Sequence, residues 1–307
     1  MALNVALLLI LSLLWGCSYG LIALGLRDFP FVTLMALRSL VACLVLFAIF
    51  SMTRSRVDHS VELWRTLLWQ SLIGNTIPML LVAWAQKSIP SAIATVFGST
   101  IPLFIFLMAF FGDEKISIKT CVGAVFGFLG VVLATGEGIG TFTWEDILPY
   151  AALLLSSLSY AVAAIYAKNL ARVPSLFAAA GSMLWASLVL LAMSALFEDW
   201  SLARFTLNSM STVLILGVFC TGVGFWILFK VRNSLGSVAA SSQVCLRLPV
   251  GIVFGVFFLD EKIGLLAVLG SFLSLWALSS CLPPLIGLPG LKKQVFDVYN
   301  AQGNLLR

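Results

Sequence analysis

The chain has 307 residues, of which 61% are hydrophobic and 10% charged, with a formal net charge of +5. Soluble domains carry roughly a quarter charged residues, so this much apolar surface needs lipid as its solvent and excludes a soluble protein. The basic residues are spread between apolar runs rather than gathered into one patch, which excludes nucleic acid as a partner.

A membrane-spanning helix needs about 20 mostly apolar residues. Taken in chain order, ten stretches meet that need: 3–26, 31–52, 66–86, 91–111, 117–136, 147–167, 175–197, 208–229, 236–258 and 264–285. The expected fold class is an all-α membrane protein of ten transmembrane helices. The first run lacks a basic flank and a small-residue cleavage site, so it reads as a retained helix rather than a signal peptide. Connections are short and leave no room for a soluble domain. Residues 287–307 are polar and read as a loose tail. All six cysteines (Cys17, Cys43, Cys121, Cys220, Cys245 and Cys281) fall inside apolar runs. No disulfide framework, zinc site or cofactor is expected.

Loop charge then sets orientation. With the N-terminus inside, the cytoplasmic side receives Arg54, Arg56, Arg65, Lys115, Lys119, Lys168, Arg172, Lys230, Arg232, Lys292, Lys293 and Arg307. The other side receives Arg27, Lys87, Arg204 and Lys262. That bias predicts a multi-pass inner-membrane protein with both termini in the cytoplasm.

The chain also repeats itself. Pro102–Ile116 and Pro249–Ile263 share their pattern, each ending Asp-Glu-Lys-Ile, and Gly123 and Gly270 follow in step. Five helices per repeat is an odd number, so the second copy enters the membrane from the opposite side. The expected domains are a first repeat over 1–140, a second over 141–286 and a cytoplasmic tail over 287–307. Inverted repeats of this kind build many secondary transporters.

Trp15-Gly16, Arg38, the Pro-x-Phe run at Pro102 and the Gly112-Asp-Glu-Lys115 that follows resemble the EamA family of the drug/metabolite transporter superfamily. The resemblance covers residues 3 to 285. It implies two inverted five-helix EamA-like repeats and export or exchange of small metabolites. It also implies a central cavity lined mainly by the first, third, fourth, sixth, eighth and ninth helices.

Candidate site residues come from features that lipid penalises. Only Arg38 and Arg247 place a charge within a span, at a cost of at least about 2.5 kcal/mol near mid-membrane unless a partner or water answers it. Arg247 shares a small and polar face with Gly236, Ala240, Gln243 and Gly251, and Pro249 leaves the Cys245 carbonyl without its helical donor. The first-repeat counterpart of Arg247 is Thr100, so the repeated scaffold does not itself demand the charge. Arg38 lies about two turns from its helix end, within reach of the interface, and reads as structural.

Asn75 beside Pro78 and Thr221-Gly-Val-Gly224 are paired helix interruptions, which expose backbone to a cavity in transporters. Trp15, Tyr19 and Tyr160 offer aromatic faces to a ligand, with core packing as the alternative. The expected substrate-binding set is therefore Trp15, Tyr19, Asn75, Thr100, Tyr160, Gln243 and Arg247. Gly123 and Gly127 form a helix-packing strip, and the two Asp-Glu-Lys runs supply acids to helix N-termini; both read as structural.

Enzyme readings fare poorly. Gly16-Cys-Ser-Tyr-Gly20 matches the G-x-S-x-G elbow, but it lies inside a membrane helix and the only histidine, His59, is in a loop. No metal site is expected. No Asp or Glu lies at membrane depth, which disfavours a cation exporter run by a buried acid. The expected function is alternating-access transport of a small polar metabolite, an amino acid or similar zwitterion or anion. A multidrug or cationic-metabolite exporter is the alternative, and a non-transporting scaffold or receptor-like protein a second. The expected partners are a small-molecule substrate and the lipid bilayer.

Overall fold

A computed structural model describes residues 2–53, 57, 59–110, 144–241, 243–261, 269 and 272. Among these residues the protein is all helical. The expected spans at 117–136 and 264–285, the strip at Gly123 and Gly127, the first Asp-Glu-Lys run and the tail lie outside the described residues.

Helices α1 (Ala2–Gly25) and α2 (Phe31–Ser51) are joined by a tight turn before Pro30. Helix α3 (Val61–Ser71) passes through a π-helical turn, Leu72–Thr76, into α4 (Ile77–Ala85). Pro78 explains that irregularity, because its ring displaces the helical bond to the preceding turn. Pro90 then starts α5 (Ser91–Gly98), which breaks at Ser99-Thr100 before α6 (Ile101–Phe110). Pro102 has no N–H for the Gly98 carbonyl, which accounts for the break.

After the undescribed segment come α7 (Trp144–Tyr166) and α8 (Ser175–Phe197). Helix α9 (Leu207–Ile215) runs through a second π-helical segment, Leu216–Val223, into α10 (Gly224–Ser241), and α11 (Val244–Leu259) follows. Among the described residues, six helical stretches are long and apolar enough to cross a membrane: 6–25, 31–51, 61–85, 147–170, 175–197 and 207–234. Shorter apolar helices cover 91–105 and 247–259.

One boundary differs from expectation. The connection expected between spans 208–229 and 236–258 is helical, and α10 continues to Ser241. The first half stops its helix with Pro90, whereas Gly236 stands in that neighbourhood of the second half. Glycine weakens a helix by about 1 kcal/mol without ending it. Arg232 therefore sits within a helix instead of a loop.

Packing follows small residues. Helix α2 packs along α8, α1 along α11, and α4 along α7. A Cβ at Gly16 would stand 2.6 Å from Val250 Cβ and 2.9 Å from the Arg247 carbonyl oxygen, and one at Gly20 would overlap the Phe254 ring. On the other side of α11, a Cβ at Gly251 would stand 2.6 Å from Thr95. Helix α11 is thus held between α1 and α5 at distances that only glycine permits.

Two carboxylates tie helices at one end of the molecule. Glu198 accepts from the backbone N–H groups of Val32 (3.0 Å) and Thr33 (2.6 Å) at the start of α2. Glu261 accepts from Ser91 (2.7 Å) and Ala92 (3.0 Å) at the start of α5. Each follows a proline and answers the positive end of a helix dipole. The structural role expected for the second Asp-Glu-Lys run is the one seen.

Candidate functional site

The two π-helical segments decide where the site forms, because each frees polar groups that neighbouring helices take up. In the segment after α9, the Cys220 carbonyl accepts the indole N–H of Trp15 at 2.8 Å. The Thr221 hydroxyl accepts from Arg38 Nε at 2.9 Å and donates to the Leu216 carbonyl at 2.7 Å. In the segment after α3, the Ile73 carbonyl accepts from Ser159 at 2.6 Å, and the Pro78 carbonyl just beyond accepts from Ser156 at 3.2 Å. Gly224, Gly74 and Gly217 keep these approaches open: a Cβ at each would meet Trp15, Gln70 and Val41 respectively. The breaks in the apolar runs are therefore used to orient side chains.

Between these helices lies a small, partly open cavity of about 70 Å³. Its walls come from α1, α2, α3, α4, α6, α7, α10 and α11, together with Gly74 of the first π-helical turn and Gln243 just before α11. Trp15 and Tyr19 line it from α1, with Phe225 5.5 Å from the Trp15 ring. Tyr160 lines it from α7 and interacts electrostatically with both Arg38 and Arg247.

Arg247 is 3% exposed, and its guanidinium lies 5.5 Å from the centre of the Tyr19 ring. Its Nε and Nη2, the edge that grips carboxylate or phosphate with two parallel bonds, have no hydrogen-bond partner. Gly98, at the end of α5, makes room for them: a Cβ there would fall on Arg247 Nη2 and the Tyr19 hydroxyl. The backbone of Gln243 is fixed, since its carbonyl accepts from Ser12 at 2.8 Å and from the Arg247 N–H at 3.2 Å. Two side-chain oxygens beside the cavity, Gln70 Oε1 and Gln243 Oε1, also lack partners.

Five of the seven expected residues, Trp15, Tyr19, Tyr160, Gln243 and Arg247, thus line one cavity. Asn75 and Thr100 are buried but do not line it. Thr100 spends its hydroxyl on the Phe97 carbonyl one turn back, at 2.7 Å. Asn75 lies within the π-helical turn, where its neighbour Gly74 faces the cavity instead.

Arg38 and Arg232 line the cavity and were not among the expected site residues. Arg38 is 5% exposed, so it does not reach back to the interface as its position near a helix end suggested. Its preference for the cavity follows from the Thr221 hydroxyl, which the helix break turns toward it. Gln70 and Ser18 were likewise unforeseen. No Asp, Glu or Lys is among the described residues that line the cavity. No group of three or more His, Cys, Asp or Glu side chains that could hold a metal occurs among the described residues.

Comparison with known proteins gives one family. The sequence model of the EamA-like transporter family matches residues 3–136 and again residues 147–280. The chain is 23% identical over 264 residues to the "Uncharacterized transporter YoaV" of Bacillus subtilis (strain 168), covering 85% of this chain and 90% of the relative. It is 26% identical over 251 residues to the "Uncharacterized inner membrane transporter YedA" of Escherichia coli (strain K12), covering 80% and 79%. A solved crystal structure shares the fold with a TM-score of 0.67 at 20% identity, covering 91% of this chain and 97% of the other.

Proposed function

This chain belongs to the EamA-like transporter family, and from that premise we propose that it carries a small metabolite with an anionic group through the central cavity. It is a multi-pass membrane transporter. Our finer reading is alternating access, with the halves 1–140 and 141–286 rocking as inverted repeats about a site near mid-membrane. Trp15, Tyr19, Tyr160, Gln243 and Arg247 bind the solute, and both termini face the cytoplasm.

The observation that supports this reading most is the unpartnered Nε and Nη2 of Arg247 in a cavity without described acids. A buried guanidinium in a low-dielectric site attracts a carboxylate or phosphate and repels a cation. The same observation weighs against a cationic-drug exporter, which needs a negative residue at the site. A scaffold has no need of a polar cavity reached by three arginines.

Uptake into proteoliposomes tests the proposal with labelled amino acids, nucleotides and quaternary amines. Solutes bearing a carboxylate or phosphate are expected to exchange across the membrane while quaternary amines stay out. Uptake confined to quaternary amines would reverse the assignment of charge, and uptake of nothing across a broad panel would favour the scaffold.

A further inference from the structure

The polar atoms beside the cavity that lack partners describe what a ligand must bring. Two are donors on one edge of Arg247, and two are acceptors, Gln70 Oε1 and Gln243 Oε1. A ligand that satisfies all four carries anionic oxygens for the guanidinium and hydrogen-bond donors for the amides. Nη2 of that edge packs beside Gly98 and the Tyr19 hydroxyl.

Charge then separates the two ligands that meet this description. A zwitterion would offer an ammonium as its donor and a hydroxylated anion would offer an O–H. The described lining holds three arginines, Arg38, Arg232 and Arg247, and no carboxylate. Arg38 and Arg247 are both nearly fully buried, and Tyr160 lies within electrostatic reach of both. An ammonium entering this site meets like charge, with no acid among the described lining residues to pair with. The Tyr19 face that could hold it is already occupied by Arg247. A zwitterion brings no net charge, and its one carboxylate leaves at least one of the two buried guanidiniums unanswered. A single carboxylate answers one of them.

We infer that the transported solute is a small hydroxylated metabolite carrying two negative charges, either a hydroxy-dicarboxylate or the phosphate monoester of a small alcohol, with its anionic oxygens on Arg247 and Arg38 and a hydroxyl donating to Gln70 Oε1. Arg232, at the middle of α10, adds a third positive charge to the lining. The inference rests on the carrier reading for its direction of interest, but the ligand class follows from the site alone.

The test is binding to purified full-length protein in detergent, followed by thermal shift and calorimetry, with malate, glycerol 3-phosphate, succinate, lactate and serine. Malate or glycerol 3-phosphate is expected to bind at least tenfold more tightly than lactate or serine, and to weaken as salt rises. Which of the two is preferred tells the carboxylate source from the phosphate source. Gln70→Leu should erase the advantage of malate over succinate, which lacks the hydroxyl. Arg232→Gln should weaken malate or glycerol 3-phosphate more than lactate, whether or not variants at the more deeply buried arginines fold. Serine binding as tightly as both dianions, or no dianion binding at all, overturns the inference. The same panel in proteoliposomes keeps the two claims apart. Dianions that bind but never cross sink the carrier and leave the ligand class standing, whereas serine crossing without dianion binding does the reverse.

Discussion

A guanidinium buried in a membrane protein persists only where something answers its charge, and the two most deeply buried here are answered differently. Arg38 is anchored by Thr221, whose hydroxyl is turned toward it by the helix break, and by Met35 Sδ, so two of its nitrogens, Nε and Nη1, are already committed. Arg247 rests on the Tyr19 ring with one edge open. Trp15 shows the same economy, since its N–H donates to the Cys220 carbonyl within the π-helical segment. Trp15→Phe keeps the ring but removes that donor, a loss of about 1–3 kcal/mol. The expected outcome is a melting temperature lowered by a few degrees in purified protein, with no change in oligomeric behaviour on a sizing column. Arg247, Gln243, Tyr160, Tyr19 and Trp15 were legible in the sequence because polar or aromatic groups in an apolar run need a reason. Arg38 was not, because distance from a helix end says nothing about which way a side chain faces. Thr100 misled for the opposite reason: a hydroxyl can satisfy itself on its own helix, and no pattern in the sequence announces that it does.

At the scale of elements, glycine spacing and proline placement carry most of the architecture. Gly16 and Gly20 sit in what looks like a nucleophile elbow, yet their work is to bring α1 against Val250 and Phe254 of α11. That contact holds the helix bearing Arg247 against the one bearing Trp15 and Tyr19. Gly20→Leu would drive a side chain into the Phe254 ring, and overpacking of this kind costs roughly 1–3 kcal/mol. We expect lower yield of folded protein and a lower melting temperature, while Gly20→Ala retains more of both. The interruptions at Asn75–Pro78 and Thr221–Gly224 were visible in the sequence as Pro and Gly within apolar runs. Their π-helical form was not, because the extra residue in the turn is fixed by which neighbours take up the freed carbonyls. The end of α10 was missed because Gly236 alone does not stop a helix, whereas Pro90 does.

Across the whole molecule, the carboxylate ties and Arg232 lie toward opposite ends. From Leu207, next to the end where Glu198 caps α2, Arg232 is roughly 37 Å along a continuous helix at about 1.5 Å per residue. We read the tied end as the one facing away from the cytoplasm. Cysteine placed at His59, which is exposed beside the start of α3, should then react with an impermeant maleimide only from the cytoplasmic side. Cysteine at Gly140, outside the described residues, should react only from the other side. Labelling of both positions from one side would contradict the inverted arrangement of the halves. Loop charge is the ground for that expected orientation, since membrane insertion itself responds to Lys and Arg. The identity of the solute was not readable, because it depends on which buried groups end up unpartnered, and only packing decides that.

The central claim is that Arg247 receives the solute's anionic group, and it is tested most directly by measuring stability and solute affinity on the same purified Arg247→Lys and Arg247→Ala proteins. A point ammonium cannot reproduce two parallel bonds, and the loss of a charge-assisted contact is worth about 1.5–3 kcal/mol, or roughly ten- to a hundredfold in affinity. The account predicts near-normal melting temperatures for both variants, affinity for the anionic solute weakened by that factor in Arg247→Lys, and a further loss in Arg247→Ala. Lowered melting temperatures with unchanged affinity in the surviving protein would contradict it, and would make Arg247 a residue of the scaffold.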